Sequence, residues 1–220
     1  MTGVPKPSEA VPVPRGRHAP PVEVRLSVQR RRLFEAAAQV FARSGYAEAS
    51  AEAISREAGM SKATFYEHFA NKEECILALF DEAATEVMRA MAQAAGERDE
   101  ATSYEEWVKR GMRAFLDTLV AYPAESQTLL VEIIGAGPRA TERRDAILDS
   151  FADALYRDNE RMAPRFGAPT FADPADAFTI IGGIIEVVSR QLRTGRPTDM
   201  RDVEPTLQRL FFGVLGQSRA

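Results

Sequence analysis

The sequence predicts an all-α protein of about nine helices, and three observations carry that prediction. Apolar residues recur at three- and four-residue spacing through most of the chain, while serines, asparagines, prolines and glycines punctuate it at helix-length intervals. The one stretch that alternates like a strand, Val22 to Val28, has no second such stretch to pair with. Taken in order, residues 1–26 read as a disordered basic arm. Six prolines fall within the first 21 positions, and there are too few large apolar side chains to offset ordering entropy. The segment from Val22 reads as an extended lead-in. From Ser27 the period changes: Leu33, Ala37, Val40 and Ser44 share a helical face, Phe34, Ala38 and Phe41 adjoin it, and Gly45 suits a left-handed cap, which predicts a helix over 27–44.

Two short helices follow. Ser50 is placed to cap one over 51–58 that stops at Gly59, and Ser61 to cap another over 62–68. Asn71-Lys72-Glu73-Glu74 has the pattern of a capping box and opens a long helix to about Ala95. After a loop at 96–102, further helices are predicted over 103–121, 123–135, 139–163, 174–194 and 202–217, separated by Pro123, Gly135-Ala136-Gly137-Pro138, Pro164, Pro174 and Gly195-Arg196-Pro197.

Composition excludes several classes. No apolar run reaches the roughly 18 residues of a membrane span. The best candidate, Phe178 to Val188, carries Glu186. Cys75 is the single cysteine, and with only His18 and His68 beside it neither an intramolecular disulfide nor a zinc-site spacing is available. No metal and no cofactor is expected, and a cytoplasmic setting is. Charge is uneven: residues 1–33 hold seven Lys or Arg against two Glu, residues 34–80 four against seven, and the remainder 17 against 23. A basic front end on an acidic chain is what contact with a polyanion would favour.

The informative spacing is Ile54, Ala58, Gly59, Met60, Ser61 and Phe65. A helix ending at glycine, a tight turn and a second short helix starting at a serine cap describe a helix-turn-helix. Residues 31–77, from Arg31-Arg32-Leu33-Phe34 through Ala58-Gly59-Met60-Ser61-Lys62-Ala63-Thr64-Phe65-Tyr66 to Cys75-Ile76-Leu77, resemble the DNA-binding domain of the tetracycline-repressor-like (TetR) family. The resemblance implies a three-helix DNA-binding domain over 27–72 and a larger helical ligand-binding and dimerisation domain over 73–220. It also implies a homodimer built on the last two helices, with duplex DNA and a ligand as partners; the ligand's identity is not implied, and the small apolar effector expected here is read from the aromatic and methionine stripes of the second domain.

Carried over position by position, the resemblance gives Ser50 a phosphate contact, with Ala49 standing where the family commonly has Thr. Ser61, Lys62, Ala63 and Thr64 form the first turn of the recognition helix, where side chains reach base edges. Tyr66 and His68 match the family's Tyr and His positions, and Lys72 is placed for a phosphate at the start of the fourth helix. Arg30, Arg31 and Arg32 are candidate backbone contacts. Pro14-Arg15-Gly16-Arg17-His18 resembles the core of a minor-groove hook.

In the second domain, Trp107, Phe115, Tyr122, Phe151 and Phe178 lie on aromatic stripes at helical spacing and are the candidate ligand-binding residues. Glu132 and Glu186 interrupt apolar runs and need partners, with Arg190 offered for Glu186. Phe211 and Leu215 are assigned to a dimer face on the ninth helix. No Ser-His-Asp or Cys-His arrangement or phosphate-binding glycine loop is present, so no catalytic residue is assigned and the chain reads as a non-enzyme. The alternatives are a small-molecule-binding helical enzyme and a protein-interaction scaffold.

Overall fold

The computed structural model describes residues 21–96 and 103–217. The hook pattern at 14–18, most of the predicted arm and most of the loop read over 96–102 lie outside the described residues. Among the described residues there are nine α-helices and no strand: α1 Val22–Glu48, α2 Ala51–Glu57, α3 Lys62–His68, α4 Lys72–Gly96, α5 Tyr104–Ala121, α6 Pro123–Leu130, α7 Pro138–Met162, α8 Pro174–Thr194 and α9 Glu204–Gln217. Short 3₁₀ turns follow α6 (Glu132–Ala136) and α7 (Ala163–Phe166) and precede α9 (Met200–Val203). The helix predicted over 123–135 is therefore two pieces, broken at Val131.

The residues read as an extended lead-in are helical. Val22, Val24 and Leu26 are exposed on the first turns of α1, and the Arg25 N–H donates to the Pro21 carbonyl at 3.1 Å. Alternation makes a strand only where a partner strand exists, and once Leu33 to Phe41 are packed the helix extends backwards at little cost because its nucleus is already formed. Ser44, assigned to the buried face, is exposed.

Gly45 also differs from expectation. Its φ of 76° is positive, but its ψ of 161° is extended, and the helix resumes after it to Glu48. This is a kink within α1, in a region of backbone space that is essentially open to glycine only.

α1 lies across α2, α4 and α6, so the first three helices share a core with the start of the second domain. Leu33, Ala37, Val40, Phe41, Ile54 and Phe65 are all but fully buried there, together with Cys75 and Ile76 from α4. α4 runs about 37 Å at 1.5 Å per residue, from the helix-turn-helix into the second domain, where it packs along α5. α7 pairs with α8, and α8 with α9. The division read at residues 72 and 73 falls within the first turn of α4.

Substituting Gly45 with alanine forces a residue with a Cβ into this conformation and brings that Cβ to 3.5 Å from Glu132 Oε2. Gly45→Ala is expected to lower unfolding stability by about 1–3 kcal/mol, measured by denaturant unfolding against a Gly213→Ala control on α9, where an added Cβ meets nothing within 4 Å.

Candidate functional site

The helix-turn-helix is set by its caps and its turn. Ser50 Oγ accepts from the Ala53 N–H at 3.1 Å and Ser61 Oγ from the Thr64 N–H at 3.0 Å, so each short helix has a donor of its first turn satisfied by the residue that precedes it. Gly59, with φ 66°, turns the chain between them. Arg32 Nη2 reaches from α1 to the Ala58 carbonyl at 3.4 Å and closes the end of α2. Phe65 anchors α3: it is fully buried, within 5.5 Å of the Phe69 ring, and its burial contributes about 1.5–3 kcal/mol.

With Phe65 inward, the opposite face of α3 is turned out. Lys62, Ala63, Tyr66 and Glu67 are exposed and Thr64 is half-buried, its Oγ1 lying 3.0 Å from Ser61 Oγ. Lys62 Nζ lies 6.0 Å from the centre of the Tyr66 ring, so the two side chains form one cationic and aromatic patch. Ser50 and Ser61 flank it, both exposed.

Two assigned residues are placed differently. The Lys72 ammonium donates to three carbonyls at the end of α1, Tyr46 at 2.8 Å, Ala47 at 3.0 Å and Ala49 at 3.1 Å, and stands 4.4 Å from the Tyr46 ring centre. All three ammonium hydrogens are engaged, so Lys72 closes α1 rather than offering itself to a phosphate. His68 sits on the last turn of α3 with Nε2 sealed from solvent and unpartnered. Desolvation lowers its pKa, the nearby Arg30 cation lowers it further, and Glu67 opposes them. The imidazole is thus held toward its neutral form, with Nε2 turned inward although the residue as a whole is only half-buried.

The three arginines of α1 are also engaged. The Arg30 guanidinium lies 4.9 Å from the Phe34 ring centre and 5.0 Å from that of Phe69. Arg31 faces Glu35 at 3.9 Å, and Arg32 holds Ala58.

The second domain holds a cavity of about 240 Å³ between α4, α5, α6, α7 and α8, with Phe211 of α9 also on its wall. Trp107 and Phe115, two of the candidates named from sequence, line it from α5, and a third, Phe151, from α7. Met88 and Met91 line it from α4, and Leu129 and Leu130 from α6. Tyr122 and Phe178 do not. Tyr122 is 48% exposed at the end of α5 and Phe178 50% exposed on the first turns of α8, so the stripes that named them turn away from the cavity at those positions. Nor do Phe211 and Leu215 offer a free dimer face: both are 3% exposed, packed within the chain. Glu186 pairs with Arg193 at 2.9 Å, not with Arg190.

Glu132 carries a contact that sequence reasoning left open. Its Oε2 accepts the Tyr46 N–H at 3.1 Å and its Oε1 accepts from Gln127 Nε2 at 3.2 Å. The peptide group just past the Gly45 kink is therefore held on its N–H side by the second domain, while Lys72 holds the Tyr46 carbonyl. Glu132 follows the cavity wall residue Leu130 by two positions, and Ser189 Oγ of α8 donates to the Leu130 carbonyl at 3.1 Å. The only advance signal was a carboxylate inside an apolar run.

Residues 33–79 match the bacterial regulatory proteins of the tetR family. The match falls on the helix-turn-helix region, α1 to the start of α4, and makes that part of the chain similar to the DNA-binding segment of those regulators. Over 94 residues it is 35% identical to the HTH-type transcriptional regulator YhgD of Bacillus subtilis (strain 168), a match that covers 42% of this chain and 47% of that regulator. The chain thus spans about half the length of that relative.

Solved structures share the whole fold. FadR of Bacillus subtilis, solved in complex with stearoyl-CoA, superposes with a TM-score of 0.70 at 18% identity, covering 82% of this chain and 96% of that one. The fatty acid degradation regulator FadR of Bacillus halodurans gives 0.65 at 22% identity, with 87% and 96% covered. A tetR-family protein from Syntrophomonas wolfei gives 0.71 at 13% identity, with 86% and 96% covered.

Proposed function

We propose that this chain is a ligand-responsive transcriptional repressor that binds a palindromic operator as a homodimer and is released by a small apolar molecule. The observation that carries the reading is the physical link between an outward-facing recognition helix and an apolar cavity, made at Tyr46 by Glu132 and Lys72. Its named relatives are regulators rather than enzymes, and the stearoyl-CoA complex of Bacillus subtilis FadR supports an apolar effector here. Among the described residues no helix is long and apolar enough to cross a membrane, which fits work on cytoplasmic DNA.

In this reading Lys62, Ala63, Thr64 and Tyr66 enter the major groove. Lys62 meets guanine O6 and N7, Thr64 meets several bases or a thymine methyl, and Ser50, Ser61 and Tyr66 position the helix on phosphates. A homodimer is required because one seven-residue helix reads few bases. Two such helices must stand about 34–36 Å apart, or a multiple of that, to occupy successive major grooves. The exposed Phe178 and Gly182 on α8 offer a self-complementary face for the dimer, in place of Phe211 and Leu215. The domain limits 27–72 and 73–220 serve as the reading and sensing halves.

Release follows from the walls of the cavity. A ligand that prefers a wider cavity displaces α4 at Met88 and Met91 or α6 at Leu129 and Leu130; α4 starts at the Tyr46 junction with Lys72, and the turn that follows α6 reaches it through Glu132. Operator affinity then falls by the ratio of the ligand's affinities for the two conformations.

The direct test is selection of duplexes from a random library, followed by binding across salt concentrations. The expected result is an enriched palindrome whose log affinity falls linearly with log salt. Lys62→Ala should change the selected bases, while Tyr66→Phe should weaken binding to all sequences alike. Selection that yields no sequence preference contradicts the proposal.

A second prediction uses Gly111, which lines the cavity and whose added Cβ would meet nothing within 4 Å. Gly111→Leu should fill the cavity as a resident ligand would and lower affinity for the selected duplex by about tenfold or more, the range of typical coupling energies. Unchanged affinity in a folded variant contradicts the coupling.

A further inference from the structure

We propose that the effector is a long-chain amphiphile with one anionic head, its tail running along α7 and its head held by Arg144. This rests on the cavity being the effector site and goes further, to the shape and charge of what fills it.

The shape comes from the lining. On α7 the cavity extends from Arg144 to Asp158, fourteen residues and therefore about 21 Å of helix. On α4 it extends from Phe80 to Ala92, a parallel run of about 18 Å. A void of about 240 Å³ spread over such a length is narrow, suited to an extended chain rather than to a compact ring system. The walls are aliphatic side chains, methionines and aromatic rings. Methionine adapts to the tail of a flexible ligand better than branched side chains do.

The charge comes from the two ends. Among the described residues, Arg144 and Asp158 are the only charged ones that line the cavity. Asp158 is already matched, since its carboxylate accepts from Arg161 on the same helix. Arg144 is not matched in the same way: its ion pair is with the adjacent Asp145 at 3.6 Å, beyond hydrogen-bond reach. Its neighbours on α7 show the contrast. Arg143 makes two bonds to Asp81, at 2.6 and 2.9 Å, and Arg139 reaches Glu74 at 2.7 Å, so both are tied to α4. The one arginine of this group that faces the cavity is the one whose fork of donors has, among the described residues, no carboxylate in bonding range.

A planar guanidinium at the end of an apolar tube recognises a carboxylate or phosphate head bidentately. The side chain retains some solvent exposure, so the head can sit at the rim while the tail is buried.

The full chain should be titrated with hexadecanoate, hexadecanol, hexadecylamine and octanoate below their micelle-forming concentrations, read by the fluorescence of Trp107, the single tryptophan and a cavity wall. Hexadecanoate should bind about tenfold or more tighter than each of the other three, as expected for one charge-assisted hydrogen-bonded contact and for a buried tail. Arg144→Gln should remove that advantage over hexadecanol and leave hexadecanol binding unchanged, and Arg144→Lys should restore part of it. A hexadecyl phosphate arm distinguishes a phosphate head from a carboxylate.

If hexadecanol equals hexadecanoate and Arg144→Gln changes neither, the anionic anchor is wrong while the cavity remains an effector site. If compact aromatic compounds move the Trp107 signal and all long chains fail, the elongated ligand is wrong. If no compound moves the signal and Gly111→Leu also leaves operator affinity intact, the reading of the cavity as an effector site fails as well.

Discussion

The backbone of Tyr46 is the point on which the two halves of this protein meet. Its N–H is held by Glu132 from the turn after α6, and its carbonyl by Lys72 from the first turn of α4. Both bonds involve a charged partner, and such bonds contribute about 1.5–3 kcal/mol each, more than a neutral pair. Gly45 makes the arrangement possible: its kink swings the end of α1 so that the Tyr46 N–H faces Glu132, and no side chain stands between. Lys72 bonds in addition to Ala47 and Ala49, just ahead of the Ser50 cap. The orientation of α2, and with it α3, therefore depends on where α4 and α6 stand.

That dependence gives the cavity a mechanical meaning. Leu129 and Leu130 are both wall residues, and Glu132 stands two positions after Leu130 on a 3₁₀ turn, so a shift of the wall carries the carboxylate with it. A hydrogen bond at 3.1 Å tolerates only a small displacement before it weakens. The junction is thus able to convert a packing change in the second domain into a change of angle in the first. How far the balance moves is set by the difference in ligand affinity between the two arrangements and not by the tightness of binding alone.

Much of this architecture was legible in the sequence because it is signalled locally. Ser50, Ser61 and Asn71 cap the helices they were assigned, and Pro123 and Pro174 stand in the first turns of theirs. Phe65 inward and Tyr66 outward follow from helical spacing once α3 is placed. What failed was direction over distance. Lys72 and His68 have the right residue types and positions for a DNA surface, yet one turns back to close α1 and the other turns its Nε2 inward. Neither fact is contained in the spacing of α3 and α4. Tyr122 and Phe178 lie on the same stripes as Trp107 and Phe115, but which part of a stripe faces a void depends on helices packed from elsewhere in the chain. Glu132 could be recognised as needing a partner, but the partner is a backbone N–H 86 positions away.

Coupling between the two halves requires that the Tyr46 junction feel the cavity. The most direct measurement is amide hydrogen exchange at Tyr46 in the wild-type chain and in Gly111→Leu, whose side chain occupies the cavity without touching α1. Opening of the bond to Glu132 exposes that amide, so the account predicts faster exchange at Tyr46 in Gly111→Leu, with the buried amides of α1 around Phe41 unchanged. Equal protection of Tyr46 in the two proteins would show that the cavity and the helix-turn-helix are not coupled through this contact.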